Sequence, residues 1–263
     1  MSLQEPATNA YSEPIAYSDK LESFGLVDGP GVRSILFLSG CPLRCLYCHN
    51  PEMQNPSCGN KITPLEAYNK LIRYKRYWGE KGGITVSGGE PLMNLDFLIS
   101  LGELAKKDNI SFVIDTSGIM FNESPEYLEK FDKLLEVSNL FLLDLKGIDN
   151  DLHRKITGKD NTNILALYQY LNKKNFPIWV RYVLVPGLTD SEDLLIRSKQ
   201  FLKQFPNIQR VEVLPYHSMA IPKYEELHRD YLLKDTPTPS KEEVDRANKL
   251  LNTDFFNGYL KNN

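Results

Sequence analysis

The sequence predicts an α/β protein built as an incomplete (β/α)6 barrel of the TIM type. Short apolar runs alternate six times with amphipathic stretches of helical period, the pattern of parallel strands joined by right-handed crossovers. The roughly fifty residues after the sixth run hold a proline-bearing irregular stretch and one helical pattern, too little to complete an eight-unit barrel. Each polar or glycine-rich signature directly follows a run, and a parallel barrel gathers its functional loops at those carboxyl ends.

Residues 1–19 are polar, contain Pro6 and Pro14, and lack the basic and apolar regions of a secretory signal. They are expected to be a flexible leader to a single domain over 20–263. Asp28-Gly29-Pro30-Gly31 is a turn, and residues 34–38, bounded by Gly40, form the first buried strand. Thr63-Pro64-Leu65-Glu66 opens a helix through Tyr77, with a capping box, proline in the first turn, and Leu65, Tyr68, Leu71 and Ile72 inward. The second strand, 83–87, runs into Gly88-Gly89-Glu90-Pro91. Asn94 caps the next helix, whose stripe is Leu95, Leu98, Ile99 and residues 101–105. The third strand, 111–114, ends in Asp115-Thr116-Ser117-Gly118. Pro125 then begins a helix with Leu128, Phe131, Leu134 and Leu135 inward. The fourth strand, 140–143, ends in Asp144-Leu145-Lys146-Gly147, and a helix covers 163–174. The fifth strand, 178–185, stops at Pro186-Gly187, and a helix spans 191–204. The sixth strand, 208–214, ends in Pro215-Tyr216-His217, and Ser240 with Glu243 forms a second capping box for the last helix.

A net charge of −3 without a long basic block argues against nucleic acid as partner. No apolar run reaches the roughly 18–20 residues of a membrane span. Four cysteines, three of them crowded, do not form a disulfide framework in 263 residues, so a cytoplasmic monomer is expected.

The crowded cysteines are Cys41, Cys45 and Cys48, spaced C-x3-C-x2-C. Three thiolates in a compact loop suit an iron–sulfur cubane and leave one iron open, the mark of a reactive metal site. Two other readings stand beside it: zinc held with His49 or Cys58 as a structural knuckle, and three unrelated buried thiols. Gly88 and Gly89 allow a ligand close to the backbone. Asp144 and Lys146 alternate with Leu143 and Leu145, so both point to one side of the strand end; a solvated charge pair is the plain alternative. Arg181, on the side of Trp179 and Val183, needs an anionic partner from the protein or from a ligand. His153 and His228 are expected at the surface.

With Tyr47 just before the last cysteine, C-x3-C-x2-C resembles the radical S-adenosylmethionine superfamily. That resemblance implies a single [4Fe-4S] cluster on Cys41, Cys45 and Cys48, which are also the catalytic residues. It further implies S-adenosylmethionine held by Tyr47, Cys48, His49, Gly88, Gly89, Glu90, Asp144, Leu145, Lys146 and His217. Within the superfamily, six segments resemble in order the activases of glycyl radical enzymes: Asp28 to Arg33, the cysteine loop through Pro51, Ser87 to Glu90, Leu143 to Lys146, Val180 to Gly187 and Leu214 to His217. The resemblance covers about residues 20–250. It is to the type acting on pyruvate formate-lyase, because residues 49–83 hold only Cys58 where related activases carry cysteines for further clusters. Ala220-Ile221-Pro222-Lys223-Tyr224 departs from that family, which usually has glycine ahead of Lys-Tyr.

The resemblance implies that flavodoxin or ferredoxin supplies an electron and that a peptide glycine of pyruvate formate-lyase loses hydrogen to a 5′-deoxyadenosyl radical. Asp28 and Arg181 are candidates for holding that peptide, with a simple turn as the alternative for Asp28. Asp115 and Asp144 end neighbouring strands and are expected to converge near the sulfonium or on a metal cation. The competing functions are activation of another glycyl radical enzyme, radical chemistry on a small molecule, and a zinc-stabilised binding protein.

Overall fold

The computed structural model describes residues 13–260. The chain begins with β1 (Ala16–Gly25), turns through residues 26–32 into β2 (Arg33–Leu38), and adds the short β3 (Asn60–Ile62). Five strands follow: β4 (Gly83–Gly88), β5 (Ser111–Thr116), β6 (Leu140–Asp144), β7 (Ile178–Leu184) and β8 (Ile208–Pro215). They form one open eight-stranded sheet in the order β3-β1-β2-β4-β5-β6-β7-β8. From β2 to β8 every pairing is parallel, which is the expected six-unit partial barrel. The two antiparallel strands at the β2 end are additions to it. β1 starts inside the stretch read as a leader, and its mixture of charged and half-buried residues hides its period. The rest of that expected leader, residues 1–12, lies outside the described residues.

The helices are α1 (Pro64–Leu71), α2 (Leu95–Lys107), α3 (Pro125–Val137), α4 (Asn150–Thr157), α5 (Thr162–Lys173), α6 (Glu192–Leu202), α7 (Ile221–Glu226) and α8 (Lys241–Leu251). Both capping boxes form, Thr63 with Glu66 and Ser240 with Glu243. Three local expectations fail. The helix expected through Tyr77 is α-helical only to Leu71 and continues as a 3-10 helix, Ile72–Tyr77. Asn94 makes no side-chain cap, because a 3-10 turn, Pro91–Asn94, precedes α2 and is capped by Glu90. Leu65 is 51% exposed, since α1 is short and turns Ala67, Tyr68 and Leu71 inward instead.

Alternate residues of each strand face opposite sides. Phe112, Ile114, Phe141 and Leu143 face the helices and join Phe97, Phe131 and Tyr168 in the main core. Val113, Leu140, Leu142 and Trp179 meet on the inner side. The sheet is curled toward that side, because Arg181 of β7 reaches Asp115 of β5 at 3.2 Å across β6.

Residues 26–32 fold into this concavity. Arg181 Nη2 donates to Val27 O at 2.6 Å and to Asp28 Oδ1 at 3.1 Å, and Thr85 Oγ1 donates to Asp28 O at 2.7 Å. Arg33 is fully buried beneath the turn. Its Nη1 donates to Pro30 O (3.0 Å), Nε to Thr85 Oγ1 (2.7 Å), and Nη2 to Ile84 O (2.7 Å) and Ser111 O (2.9 Å). Gly31 has φ +68°, and a Cβ there would lie 2.6 Å from Gly82 N, so only glycine fits. The turn thus makes a fixed floor for whatever lies above it.

Candidate active site

The cysteine loop leaves β2 through Gly40, whose N–H donates to Met53 O at 2.7 Å. Its far side is held by α4. Arg44 N donates to Thr157 O (2.8 Å) and Leu46 N to Ile156 O (2.9 Å). These carbonyls are free to accept because they close a helix, and Gly158, at φ +79°, lets the chain turn away. His153, expected at the surface, is 0% exposed on α4. Its Nδ1 lies 2.8 Å from Lys159 O, so Nδ1 carries the proton and Nε2 is left bare and buried.

The segment after β8 crosses back over the same loop. Lys223 of α7 donates to Glu52 Oε1 (2.6 Å) and Asn50 Oδ1 (2.9 Å). Tyr47 packs in a cluster with Ile156, Val185, Tyr216, Tyr224 and Tyr231. Ala220, the departure from the family pattern, is a buried member of that cluster at 2% exposure, so the loop it opens is packed against the cysteine loop.

Above the floor lies a cavity of about 470 Å³ at the carboxyl ends of the parallel strands. Cys41, Cys45 and Cys48 line it, and all four cysteines of the chain are free thiols. Burial pushes Cys41 and Cys45 up to about 12 and raises Cys48 as well, so before metal binds these thiols keep their protons at neutral pH. Loading metal must release them. Tyr47, His49, Gly88, Gly89, Asp115, Asp144, Lys146 and His217 line the same cavity. The His49 and His217 rings stack at 4.1 Å. Burial, then His217, lowers His49 to about 4 and keeps it neutral. Lys146 Nζ sits 2.7 Å from Asp144 Oδ2; burial opposes its charge, but Asp144 and Cys45 hold its pKa well above the usual value.

The remaining expectations change in detail. The Glu90 carboxylate does not line the cavity. It accepts from Leu92 N (3.1 Å) and Thr116 Oγ1 on one oxygen and from Ser117 N (3.0 Å) and Ser117 Oγ on the other. Glu90 therefore positions the turn and is fully occupied by the protein. Leu145 is buried in the main core, with its N–H given to Arg181 O, so it too lies off the cavity wall. Gly88 and Gly89 are required by packing: added Cβ atoms would lie 2.2 Å from Leu38 O and 2.3 Å from Gly40 O. The N–H groups of Gly89 and Glu90 donate to those two carbonyls.

Arg181 is partnered by Asp28 and Asp115, the ion-pair reading of that residue. Asp115 also accepts from Ser87 Oγ at 2.6 Å, and Asp144 is taken by Lys146, so the two carboxylates have separate protein partners. Among the described residues no three His, Cys, Asp or Glu side chains gather as a single metal ion requires. Asn50, Gln54, Ser117 and Leu214 also line the cavity without having been singled out. Asn50, Ser117 and Leu214 each carried a positional signal, lying in the cysteine loop or at a strand end, and Gln54 carried none. The donor set fits a cluster and a polar ligand: three free thiols share the cavity with His217, whose Nδ1, like the Tyr47 hydroxyl, is buried without a partner.

The chain is similar to known proteins. Residues 35–197 match the Radical SAM superfamily. The chain is 43% identical over 254 residues to the pyruvate formate-lyase-activating enzyme of Streptococcus mutans, covering 95% of this chain and 96% of that one. It is also 43% identical over 244 residues to the enzyme of the same name from Staphylococcus epidermidis, covering 91% and 95%. A crystallised domain of the Bacteroides vulgatus pyruvate-formate lyase-activating enzyme aligns with a TM-score of 0.53 at 26% identity, covering 65% of this chain and 93% of that chain.

Proposed function

The chain belongs to the radical SAM superfamily and, within it, to the pyruvate formate-lyase-activating enzymes, and from that premise we propose how its own residues perform the activation. The carrying observation is the coincidence, in one cavity, of the three free thiols with Asp144, Lys146 and His217 at neighbouring strand ends. When bound, a [4Fe-4S] cluster on Cys41, Cys45 and Cys48 supplies the electron that splits S-adenosylmethionine into methionine and a 5′-deoxyadenosyl radical, which takes hydrogen from a glycine of pyruvate formate-lyase.

Around that chemistry the protein binds and orients. Lys146 offers its charge to the methionine carboxylate, and Asp144 beside it is an acceptor for ribose hydroxyls. The methionine ammonium is a donor and needs carbonyl acceptors along the Gly88–Glu90 turn, whose N–H groups at Gly89 and Glu90 serve Leu38 O and Gly40 O and hold the turn in shape. Neutral His49, stacked on His217, offers a flat face for adenine. The floor of Val27 and Asp28, clamped by Arg181, closes the cavity from below and is the candidate rest for the substrate peptide. Asp115, tied to Arg181 and Ser87, holds that clamp in place.

We assign one cluster per chain, a flavodoxin or ferredoxin as electron donor, and a cytoplasmic monomer. The free thiols of all four cysteines support the compartment. No described helix is long and apolar enough to cross a membrane. The test combines the reconstituted, reduced protein with S-adenosylmethionine and pyruvate formate-lyase under anaerobic conditions. A glycyl radical doublet in electron paramagnetic resonance is expected. Radical formation only on a different glycyl radical enzyme would correct the partner, and none on any such enzyme would overturn the reading.

A further inference from the structure

β8 is the last strand of the sheet and pairs with β7 alone. Tyr216 N donates to Leu184 O of β7 at 3.0 Å. Backbone groups alternate sides along a strand, so the N–H and C=O of Val213 and Val211 point the other way, to the open edge. Among the described residues no backbone partner reaches them there. Residues after α8 run beside this edge: a Cβ on Gly258 would lie 3.3 Å from Gln209 Cα, and Thr253, Phe256, Asn257, Tyr259 and Leu260 line the same cavity as Arg210 to Leu214.

Beyond Gln209 the edge borders a second cavity of about 460 Å³, lined by Val211, Glu212, Val213 and Leu214. Leu214 also lines the catalytic cavity, so the two cavities adjoin at that residue. Glu212 adds an independent mark of a ligand. Its Oε1 is 2.9 Å from Arg210 Nη2, while its Oε2 is buried with no partner. A buried carboxylate oxygen of that kind needs a hydrogen-bond donor.

We propose that the open edge of β8 receives an extended segment of the polypeptide that carries the target glycine. The segment pairs with the backbone of Val211 and Val213 as an added strand, gives a donor to Glu212 Oε2, and passes Leu214 into the catalytic cavity. This rests on the reading of the substrate as a glycine within a polypeptide. Strand addition draws its affinity from main-chain bonds, so it holds a segment in register while leaving the glycine itself free to reach the cavity. Pro215, which has no N–H, ends the pairing where the segment must turn inward.

The test uses the reconstituted enzyme and a synthetic peptide spanning the radical glycine of pyruvate formate-lyase. Val213→Pro removes the outward N–H at an edge position that tolerates proline. Its peptide KM is expected to rise roughly tenfold, ~1.4 kcal/mol, with kcat largely kept, whereas Val213→Thr, which keeps the N–H, stays near wild type. In the wild-type enzyme the peptide should slow amide exchange at Val211 and Val213, a measurement independent of whether the proline variant folds. Radical formation without that protection and with an unchanged KM would overturn the docking and leave the activase reading standing. No radical on peptide or whole partner would overturn both. A concentration-dependent dimer that Val213→Pro abolishes would assign the edge to a second copy of this chain and also overturn the proposal.

Discussion

Arg33→Met tests the floor beneath the site. The guanidinium makes four short hydrogen bonds, to Pro30 O, Thr85 Oγ1, Ile84 O and Ser111 O, and a longer one of 3.3 Å to Ser111 Oγ, with no carboxylate in direct contact. A hydrogen bond from a charged donor contributes about 1.5–3 kcal/mol, so the four together contribute roughly 6–12 kcal/mol before any offset. Burial works against them, pushing the Arg33 pKa from 12.5 down to about 9, with Asp28 opposing. At ~1.4 kcal/mol per pKa unit that is a cost of about 5 kcal/mol, which methionine does not incur. The net loss on Arg33→Met is therefore roughly 1–7 kcal/mol, with a centre of about 4 that is large for one site in a domain of ordinary stability. Arg33→Lys should be at least as damaging, because it keeps a buried charge and loses the planar fork that meets acceptors on three sides. Urea unfolding of the metal-free protein, followed by circular dichroism, gives both values. A methionine variant within ~1 kcal/mol of wild type, or a lysine variant more stable than the methionine one, would refute the reasoning.

Cys45→Ala should abolish cluster binding, seen as loss of iron and of the brown absorption after anaerobic reconstitution, together with all cleavage of S-adenosylmethionine; retained cluster and turnover would contradict the ligand assignment. Glu90→Gln places an amide NH2 against donors from Leu92 and Thr116 or from Ser117, and should destabilise by about 2–3 kcal/mol while raising KM for S-adenosylmethionine more than it lowers kcat. An unchanged melting temperature would show that the four contacts are not needed. Asp132 is pushed up by burial but held below its ordinary pKa by Lys174 and Tyr170, so the stability it contributes is present above the unfolded value near 3.8 and lost as pH falls through the folded one. Asp132→Asn should cost up to ~1 kcal/mol at pH 7 and progressively less as pH falls below the unfolded value, and a difference that grows toward acid would reverse the sign argued here.

The six parallel strands and the residues at their ends were legible because both follow simple rules: apolar runs bounded by turn residues, and functional loops at the carboxyl ends of parallel strands; the antiparallel β1 and the three-residue β3 follow neither and were not legible. Buried polar groups obey neither. Arg33 reads as the tail of a turn, yet its partners lie on β4 and β5, as far along the chain as Ser111. Glu90 reads as part of a ligand-binding motif, and only the positions of Thr116 and Ser117 show that its carboxylate is used internally. His153 is polar on a short amphipathic turn, and nothing local announces that Lys159 O will cover it.

The two helices absent from the sequence reading, α4 and α7, are the ones that hold the cysteine loop. That is a physical consequence of their length. A helix of eight residues or six is too short to be stable alone and forms only where tertiary contacts complete it. For α4 those contacts include the two N–H groups of the cysteine loop on its last carbonyls; for α7 they include Glu52 and Asn50, just past the last cysteine. The spacing of Cys41, Cys45 and Cys48 names the ligands, but it leaves their directions to elements that cannot exist without the loop they support. Helix and loop therefore order one another. A substitution that frays the end of α4 should disturb the cysteines even though it touches none of them.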